Sequence, residues 1–558
     1  MANFGKIYES SWWGEGVCAN TVGWGSSYKS IANCSDASFS YAESSYAKNG
    51  TDPTPTITGD AGGTFTATPA GLSINSSTGE ITLSTSTINS YTVKYTLADG
   101  TYADQTLGIT AATFTNTYSL AFDGVDDFVS GGDILNFERT DAFSISAWVK
   151  RNSINNDQAI VSKMTSSAHY KGYLLFISSG NLVKVILRNT TSATRFFTVS
   201  STTTITDSNW HNIVVTYDGS SATSGVKIYI DGVSDTVSAS GTLTTGTIID
   251  SAPFNIGARN SNNIFADANI DETAIFSSEL TSANVTTIYN SGVPNDLSTL
   301  NPTAWYRNGD NGSYKSPQWL IPENSNKDKV SNYSFEFDGV DDYVSFSSLT
   351  LSAEFTISAW IKPTNLGSNT SHIISTGTSN SNRIGIYTAN TLQIKLGGSN
   401  VYLSESGGND FVQDVWQHVL IVRDNSNNIT AFRNGASFGT SVSNSNTGTL
   451  DSIFRFNNTR YSSGNLDELA VWNSDQSANV ASIYNSGVPT TITGAVAHWK
   501  LGEQATFSTN WTVPDAVGSN DGTSANMTIE DRVGNASNST SNAVSFNMTE
   551  SDREEDTP

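Results

Sequence analysis

Apolar and polar residues alternate in short runs along most of this chain. In FSISAWVK, Phe143, Ile145, Ala147 and Val149 fall on one face, the period-two pattern of a strand buried on one side. Val93, Tyr95 and Leu97 alternate in the same way. HNIVVTYD, from His211, is more continuously apolar and reads as a strand covered on both faces. Asp-Gly pairs punctuate the runs at Asp123-Gly124, Asp218-Gly219, Asp231-Gly232 and Asp338-Gly339; such pairs tolerate positive φ and mark hairpins. Helical spacing is confined to two short stretches. In the first, Leu280, Val285, Ile288 and Tyr289 share a face and Gly292 stands at a C′ position; the second runs from about Gln476 to Asn485 and stops before Gly487. Strands with turn signals every ~8–12 residues predict an all-β sandwich or jelly roll.

The pattern also repeats. YSLAFDGVDDFV, from Tyr118, is matched by YSFEFDGVDDYV, from Tyr333. FSISAWVK is matched by FTISAWIK, which sets Trp148 opposite Trp360, and the next strands set Trp210 opposite Trp416. NIDETAIFSSELTSANVTTIYNSGVP is matched by NLDELAVWNSDQSANVASIYNSGVP, with Asp271 opposite Asp467. Taken in order, these segments resemble the laminin-G-like, concanavalin-A-like jelly-roll family. Members usually begin with an opener strand of the form W-x-x-x-x-E/D. Two openers occur here, AWYRNGD from Ala304 and AHWKLGE from Ala497, and each follows a body instead of preceding one. Either the domains are permuted, each opener packing on the body before it, or the last opener docks elsewhere. The permuted arrangement leaves no apolar strand orphaned and is the one expected; it requires Trp499 to be buried against residues 333–487.

Upstream, GLSINSSTGEITL followed by YTVKYTLADG resembles the immunoglobulin-like or cadherin-like modules of bacterial surface and virion proteins. The first 35 residues hold Tyr8, Trp12, Trp13, Trp24 and Tyr28. That stretch is too short to bury those rings alone, so they are expected to anchor the chain to a partner. The expected organisation is an aromatic anchor over 1–35, an immunoglobulin-like sandwich over 36–114 and a first jelly roll over 115–297. An opener strand and linker occupy 298–332, a second jelly roll 333–490, and an opener-like strand with an acidic tail 491–558.

Charge narrows the partners. With 28 basic and 52 acidic residues the net charge is −24, which disfavours nucleic acid and anionic membranes. No apolar run is long enough for a transmembrane span, and the start MANFGKIYESSWWGEG does not read as a signal peptide. Only Cys18 and Cys34 are present, so no disulfide framework is expected; the pair leaves room for one bridge, and two buried thiols are the expectation if the protein is made in a reducing cytosol.

The same fold hosts glycoside hydrolases, which need two carboxylates on one face. Asp271-Glu272 and Asp467-Glu468 are adjacent, so on a regular strand they point to opposite faces and no catalytic pair is predicted. The five histidines, His169, His211, His372, His418 and His498, form no zinc motif. Calcium is the one cofactor candidate, since the resembling family often binds it at the sandwich rim through hard oxygen ligands. The candidate ligands are Asp123, Asp126 and Asp127 with Asp271, and Asp338, Asp341 and Asp342 with Asp467. The four repeated tryptophans sit in apolar strands and are expected to be core.

The combination of the aromatic start YESSWWG and GWGSSYKSIA, the small sandwich, the jelly rolls and the linker NPTAWYRNGD resembles structural proteins of tailed-phage virions, marine phages in particular. The resemblance implies a non-enzymatic head fibre, decoration or tail appendage. It would be assembled in the host cytoplasm, bind other virion proteins through its N-terminus and project its jelly rolls toward host glycans, with homo-oligomers a further partner class. The alternatives are a secreted or cell-surface carbohydrate-binding adhesin and a polysaccharide-degrading enzyme.

Overall fold

The structure is a computed structural model, and it describes residues 35–48, 50–110, 114–165, 170–189, 195–260, 263–367 and 371–558. The predicted anchor residues Tyr8, Trp12, Trp13, Trp24 and Tyr28, both cysteines, and His169 lie outside the described residues. The chain divides into two compact units, residues 1–115 and 116–558. No described helix is long and apolar enough to cross a membrane.

The described part of the first unit is small and all-β. Four strands lie in the order Ser45–Ala47, Tyr102–Thr110, Asn89–Thr96, Thr64–Thr68, the first pair parallel. A ribbon of Phe39–Ser40 with Thr56–Ile57 lies apart from this sheet. Tyr91, Val93 and Tyr95 alternate into the core with Phe65, Leu107 and Ile109, as the period of two requires.

The second unit contains both repeats, each a two-sheet sandwich with its own core. In the first, Phe143, Ile145, Ala147 and Val149 face the core. The opposite face of the same strand is covered by the predicted helix, Ser282–Tyr289, with Trp148 stacked on Tyr289 at 5.9 Å. Thr281 caps that helix through Asn284, and Asn290, Ser291 and Gly292 turn the chain out with positive φ. The second copy repeats the design with Trp360 on Tyr484.

Each opener strand pairs with the body that precedes it. Ala304–Tyr306 adds to Asp267–Phe276, and Ala497–Trp499 adds to Ser463–Trp472. Trp499 is fully buried in the core of the second sandwich, as the permuted arrangement requires.

The C-terminal segment departs from its expectation as an acidic tail. It carries two copies of one short motif, Asn526-Met527-Thr528-Ile529-Glu530-Asp531-Arg532 and Asn547-Met548-Thr549-Glu550-Ser551-Asp552-Arg553. The first completes the second sandwich: Gly522–Ala525 pairs with Tyr343–Thr350, and Arg532–Val533 pairs with Ser334–Asp338. The second returns to the first sandwich: Ala543–Phe546 sits between Phe128–Gly132 and Gln318–Ile321, and Arg553–Glu554 pairs with Ser119–Asp123. Met527 and Met548 are each buried in the core they complete. Arg532 stacks on Trp511 at 4.4 Å and Arg553 on Tyr118 at 3.5 Å. A β-strand at a sheet edge exposes unpaired backbone groups, and the returning segment supplies partners for one edge strand in each sheet of the first sandwich, Phe128–Gly132 and Ser119–Asp123.

Candidate functional site

The repeated acidic turn is built from its own side chains. Asp123 Oδ1 accepts from the backbone N–H of Val125 at 2.8 Å, and Asp127 Oδ2 accepts from the N–H of Asp123 at 3.1 Å. Asp338 and Asp342 repeat both bonds at 2.7 and 3.0 Å. The turn also receives the C-terminal motif: the carbonyl of Asp126 accepts from Asn547, and that of Asp341 from Asn526, each at 2.9 Å. Burial, reinforced by the charges of Asp123, Asp552 and Asp126, pushes the Asp127 carboxyl up to about 7; burial and the charge of Asp531 push Asp342 up to about 6. Asp123, Asp126 and Asp127 each bring one oxygen within 4.8 Å of the others, as do Asp338, Asp341 and Asp342.

Asp271 and Asp467 do not join those turns. Asp123 pairs with Asp267 and Asp338 with Ser463, so each is four residues, roughly 13 Å of strand, from its expected partner. The expectation that adjacent carboxylates diverge is overturned for Asp467-Glu468, which bring oxygens within 4.8 Å of each other. Glu272 and Glu468 adopt positive φ, 46° and 47°, within β-bulges of their strands. A bulge breaks the alternation of faces, and all four side chains are buried. These carboxylates lie beneath the opener strands, where no saccharide reaches. Of the histidines, His418 is buried against Ser358 at 2.7 Å, with its imidazole pulled down to about 3 by burial, and it forms no triad among the described residues.

The open site is elsewhere. Between the two sandwiches and the C-terminal segment lies a cleft of about 750 Å³. One wall is Phe128 and Gly132–Ile134 of the first sandwich; another is Glu336, Lys362 and Asp414–Trp416 of the second; Arg532–Asn535 and Phe546 form the floor. Phe128 and Phe546 stack at 4.9 Å. Trp416 is half-buried, and its indole N–H donates to Asn535 Oδ1 at 2.6 Å.

The first copy supplies an internal comparison. There Trp210, also half-buried, donates its indole N–H to Asp556 Oδ1 at 3.0 Å, and Lys150 pairs with the same carboxylate. The C-terminus thus caps the Trp210–Lys150 position. In the second copy Asn535 stands where Asp556 does, and Lys362, the counterpart of Lys150, makes no ion pair among the described residues and faces the cleft. Trp148 and Trp360 are core residues as expected, but Trp210 and Trp416 are not fully so. Their place at the first residue of a strand or just before one, preceded by polar residues, was the available signal.

A laminin G family model, described as the concanavalin A-like lectin/glucanases superfamily, matches residues 122–286 and 338–480, more than half of the chain. No curated protein matches. Among solved structures, a native heptameric SAP-like pentraxin from Limulus polyphemus is 18% identical, with 34% of this chain and 94% of that one covered, at a TM-score of 0.25. Domains LG4-5 of the mouse laminin α1 chain are 11% identical, covering 65% and 91%, at a TM-score of 0.23. The CBM40 of the Ruminococcus gnavus IT-sialidase is 12% identical, covering 31% and 97%, at a TM-score of 0.24. On the family match, with two sandwiches each bearing the matched strands, the chain belongs to the concanavalin A-like lectin/glucanases superfamily.

Proposed function

We propose that this protein is a non-catalytic adhesive protein that binds a saccharide in the cleft between its two jelly rolls. The observation that carries the reading is the contrast between the first copy, where Asp556 takes both the Trp210 indole N–H and Lys150, and the second, where Asn535 takes the Trp416 indole alone and Lys362 faces the cleft. A half-buried indole offers an apolar face to the C–H side of a sugar ring, while Lys362, Glu336 and Asp414 offer donors and acceptors to its hydroxyls. The volume, about 750 Å³, lies in the range of small-ligand sites, ~300–1,000 Å³. The lectin half of the family description agrees with it. A non-catalytic role is supported by the adjacent carboxylate pairs being buried under the opener strands. A glycan array probed with the full chain tests the reading; retention of no glycan would remove it.

A second reading mounts this adhesive protein on the surface of a tailed-phage particle, through Tyr8, Trp12, Trp13, Trp24 and Tyr28. It is favoured by the resemblance of the N-terminal aromatic segment and the NPTAWYRNGD linker to virion proteins. The kinship of residues 36–114 to immunoglobulin-like or cadherin-like modules belongs to the same proposal. Rebinding of the chain, with and without residues 1–35, to particles stripped of it tests this placement.

A further inference from the structure

The two jelly rolls present different outer faces on corresponding sheets. In the first, the strands Gln158–Met164 and Gly172–Ile177 turn Ala159, Met164, Leu174 and Phe176 away from the main core. These side chains form a buried apolar cluster, with Tyr170, Ile186 and Ile264 packed against it. Arg188 and Arg259 lie over Tyr170 at 5.1 and 4.8 Å. The chain fills this face itself.

In the second jelly roll the same face is cationic. Ile384 and Ile394 enter the core, so their neighbours Arg383 and Lys395 turn to the other side. There they stand directly opposite each other on the strands Arg383–Thr388 and Thr391–Leu396, a placement that destabilises like charges. Three groups converge on the ring of Phe456: the His372 imidazole at 5.4 Å, the Arg383 guanidinium at 4.8 Å and the Arg460 guanidinium at 6.0 Å. Arg460 stands as far ahead of Asp467 as Ile264 does of Asp271, so a cation replaces a residue that packs on the apolar cluster of the first repeat. Arg455 lies over Tyr343 at 3.7 Å. Arg455, Arg460 and Lys395 make no ion pair among the described residues. Lys395 donates to Asn380 Oδ1 at 2.8 Å, and Asp451 accepts from the N–H of Gly377 at 2.7 Å. His372 Nε2 and Arg455 Nε, on side chains at least nine-tenths buried, have no hydrogen-bond partner among the described residues. Burial, with the charges of Arg383 and Arg460 added, pulls the His372 imidazole down to about 3, and burial with the Arg460 charge pulls Arg383 down to about 10.

Cations gathered in this way cost stability, and one incoming anion relieves them together. We propose that Arg383, Lys395 and Arg460 form a binding site for the oxyanion group of an acidic ligand, a carboxylate or a sulfate ester, on the outer face of the second jelly roll. A guanidinium fork matches either group through paired N–H donors. Arg460 is exposed and Lys395 half-buried, which leaves the site open to solvent. The net charge of −24 repels a polyanion at long range, so the ligand that fits carries an isolated acidic group. The site shares no lining residue with the cleft between the sandwiches and does not rest on the reading of that cleft.

The test is calorimetric titration of the full chain with glucuronate, glucose 6-sulfate and glucose, with thermal melting alongside. The expected result is binding of glucuronate or glucose 6-sulfate, the tighter of the two telling carboxylate from sulfate ester, weakened by added salt, and no binding of glucose at this site. Arg460→Ile, which installs the residue of the first jelly roll, and Lys395→Gln each weaken that binding by at least about tenfold. Both leave the ligand-free chain melting no lower than the parent, since each relieves like-charge repulsion. Lys227→Ala removes a surface cation paired with Glu279 in the first jelly roll and leaves binding as in the parent. Failure of both acidic sugars to bind would overturn the proposal. So would binding that is untouched by Arg460→Ile and Lys395→Gln but lost with Lys362→Ala, which would place the anion in the cleft. None of these outcomes removes the cleft as a saccharide site, which is tested through Trp416.

Discussion

The guanidinium of Arg553 lies 3.5 Å from the ring centroid of Tyr118, at opposite ends of the second unit's sequence. The contact closes the first sandwich with the last strand of the chain, after the second sandwich has been built in between. The first sandwich therefore draws on both ends of the second unit, and the cleft between the sandwiches is floored by the segment that ties them together.

Removal of residues 543–558 should uncover the Phe128–Gly132 and Ser119–Asp123 edges and take Met548 out of the first core. Limited proteolysis should then cut the first jelly roll while sparing the second. Equal resistance of both would contradict the account. Arg553→Ala, a milder change, should cost about 1–2 kcal/mol through the lost cation–π contact, read as a shift in the denaturant midpoint.

Trp499→Ala should destabilise the second jelly roll by ~3–5 kcal/mol, the usual cost of emptying a buried aromatic position. The indole is fully buried and donates to the Asn520 carbonyl at 2.8 Å. Differential scanning calorimetry checks this. A cost under ~1 kcal/mol would mean that the opener strand is not part of the core.

Stability should fall as pH rises from 5 to 8 in metal-free buffer. Burial raises Asp127 to about 7, Asp342 to about 6, Glu272 to about 7 and Glu503 to about 8. Each of these groups binds its proton more tightly folded than unfolded. The stabilisation is thus fully present below the unfolded carboxyl range and is lost as pH passes the folded values. A melting temperature higher at pH 8 than at pH 5 would contradict this reading.

Much of the fold was legible in sequence because its determinants are local and repeated. The alternation in FSISAWVK, the Asp-Gly turns and the two short helices with their left-handed exits depend on neighbours a few residues away. The permuted openers could be read because pairing each with the body before it leaves no apolar strand orphaned, Trp499 included. The return of Ala543–Phe546 to Phe128–Gly132 was missed because no local rule specifies a strand partner so far along the chain. The signal was present in the duplicated Asn-Met-Thr and Asp-Arg positions of 526–532 and 547–553. The convergence of Asp467 and Glu468 was missed for a different reason: strand alternation assumes a regular pleat, and a single left-handed residue removes that assumption. The cleft was not legible at all, since its walls come from three segments brought together only by the closure of the first sandwich.

The most direct test of the central claim is glycan binding by the parent chain beside Trp416→Ala and Trp210→Ala, measured on an array and then by titration with the best ligand. Truncation of one stacking ring should weaken binding by ~1–3 kcal/mol, or roughly five- to 150-fold. The account predicts that loss for Trp416→Ala, with Trp210→Ala close to the parent because Trp416 lines the cleft and Trp210 does not. Equal binding by the parent and Trp416→Ala, or loss on Trp210→Ala instead, would contradict it.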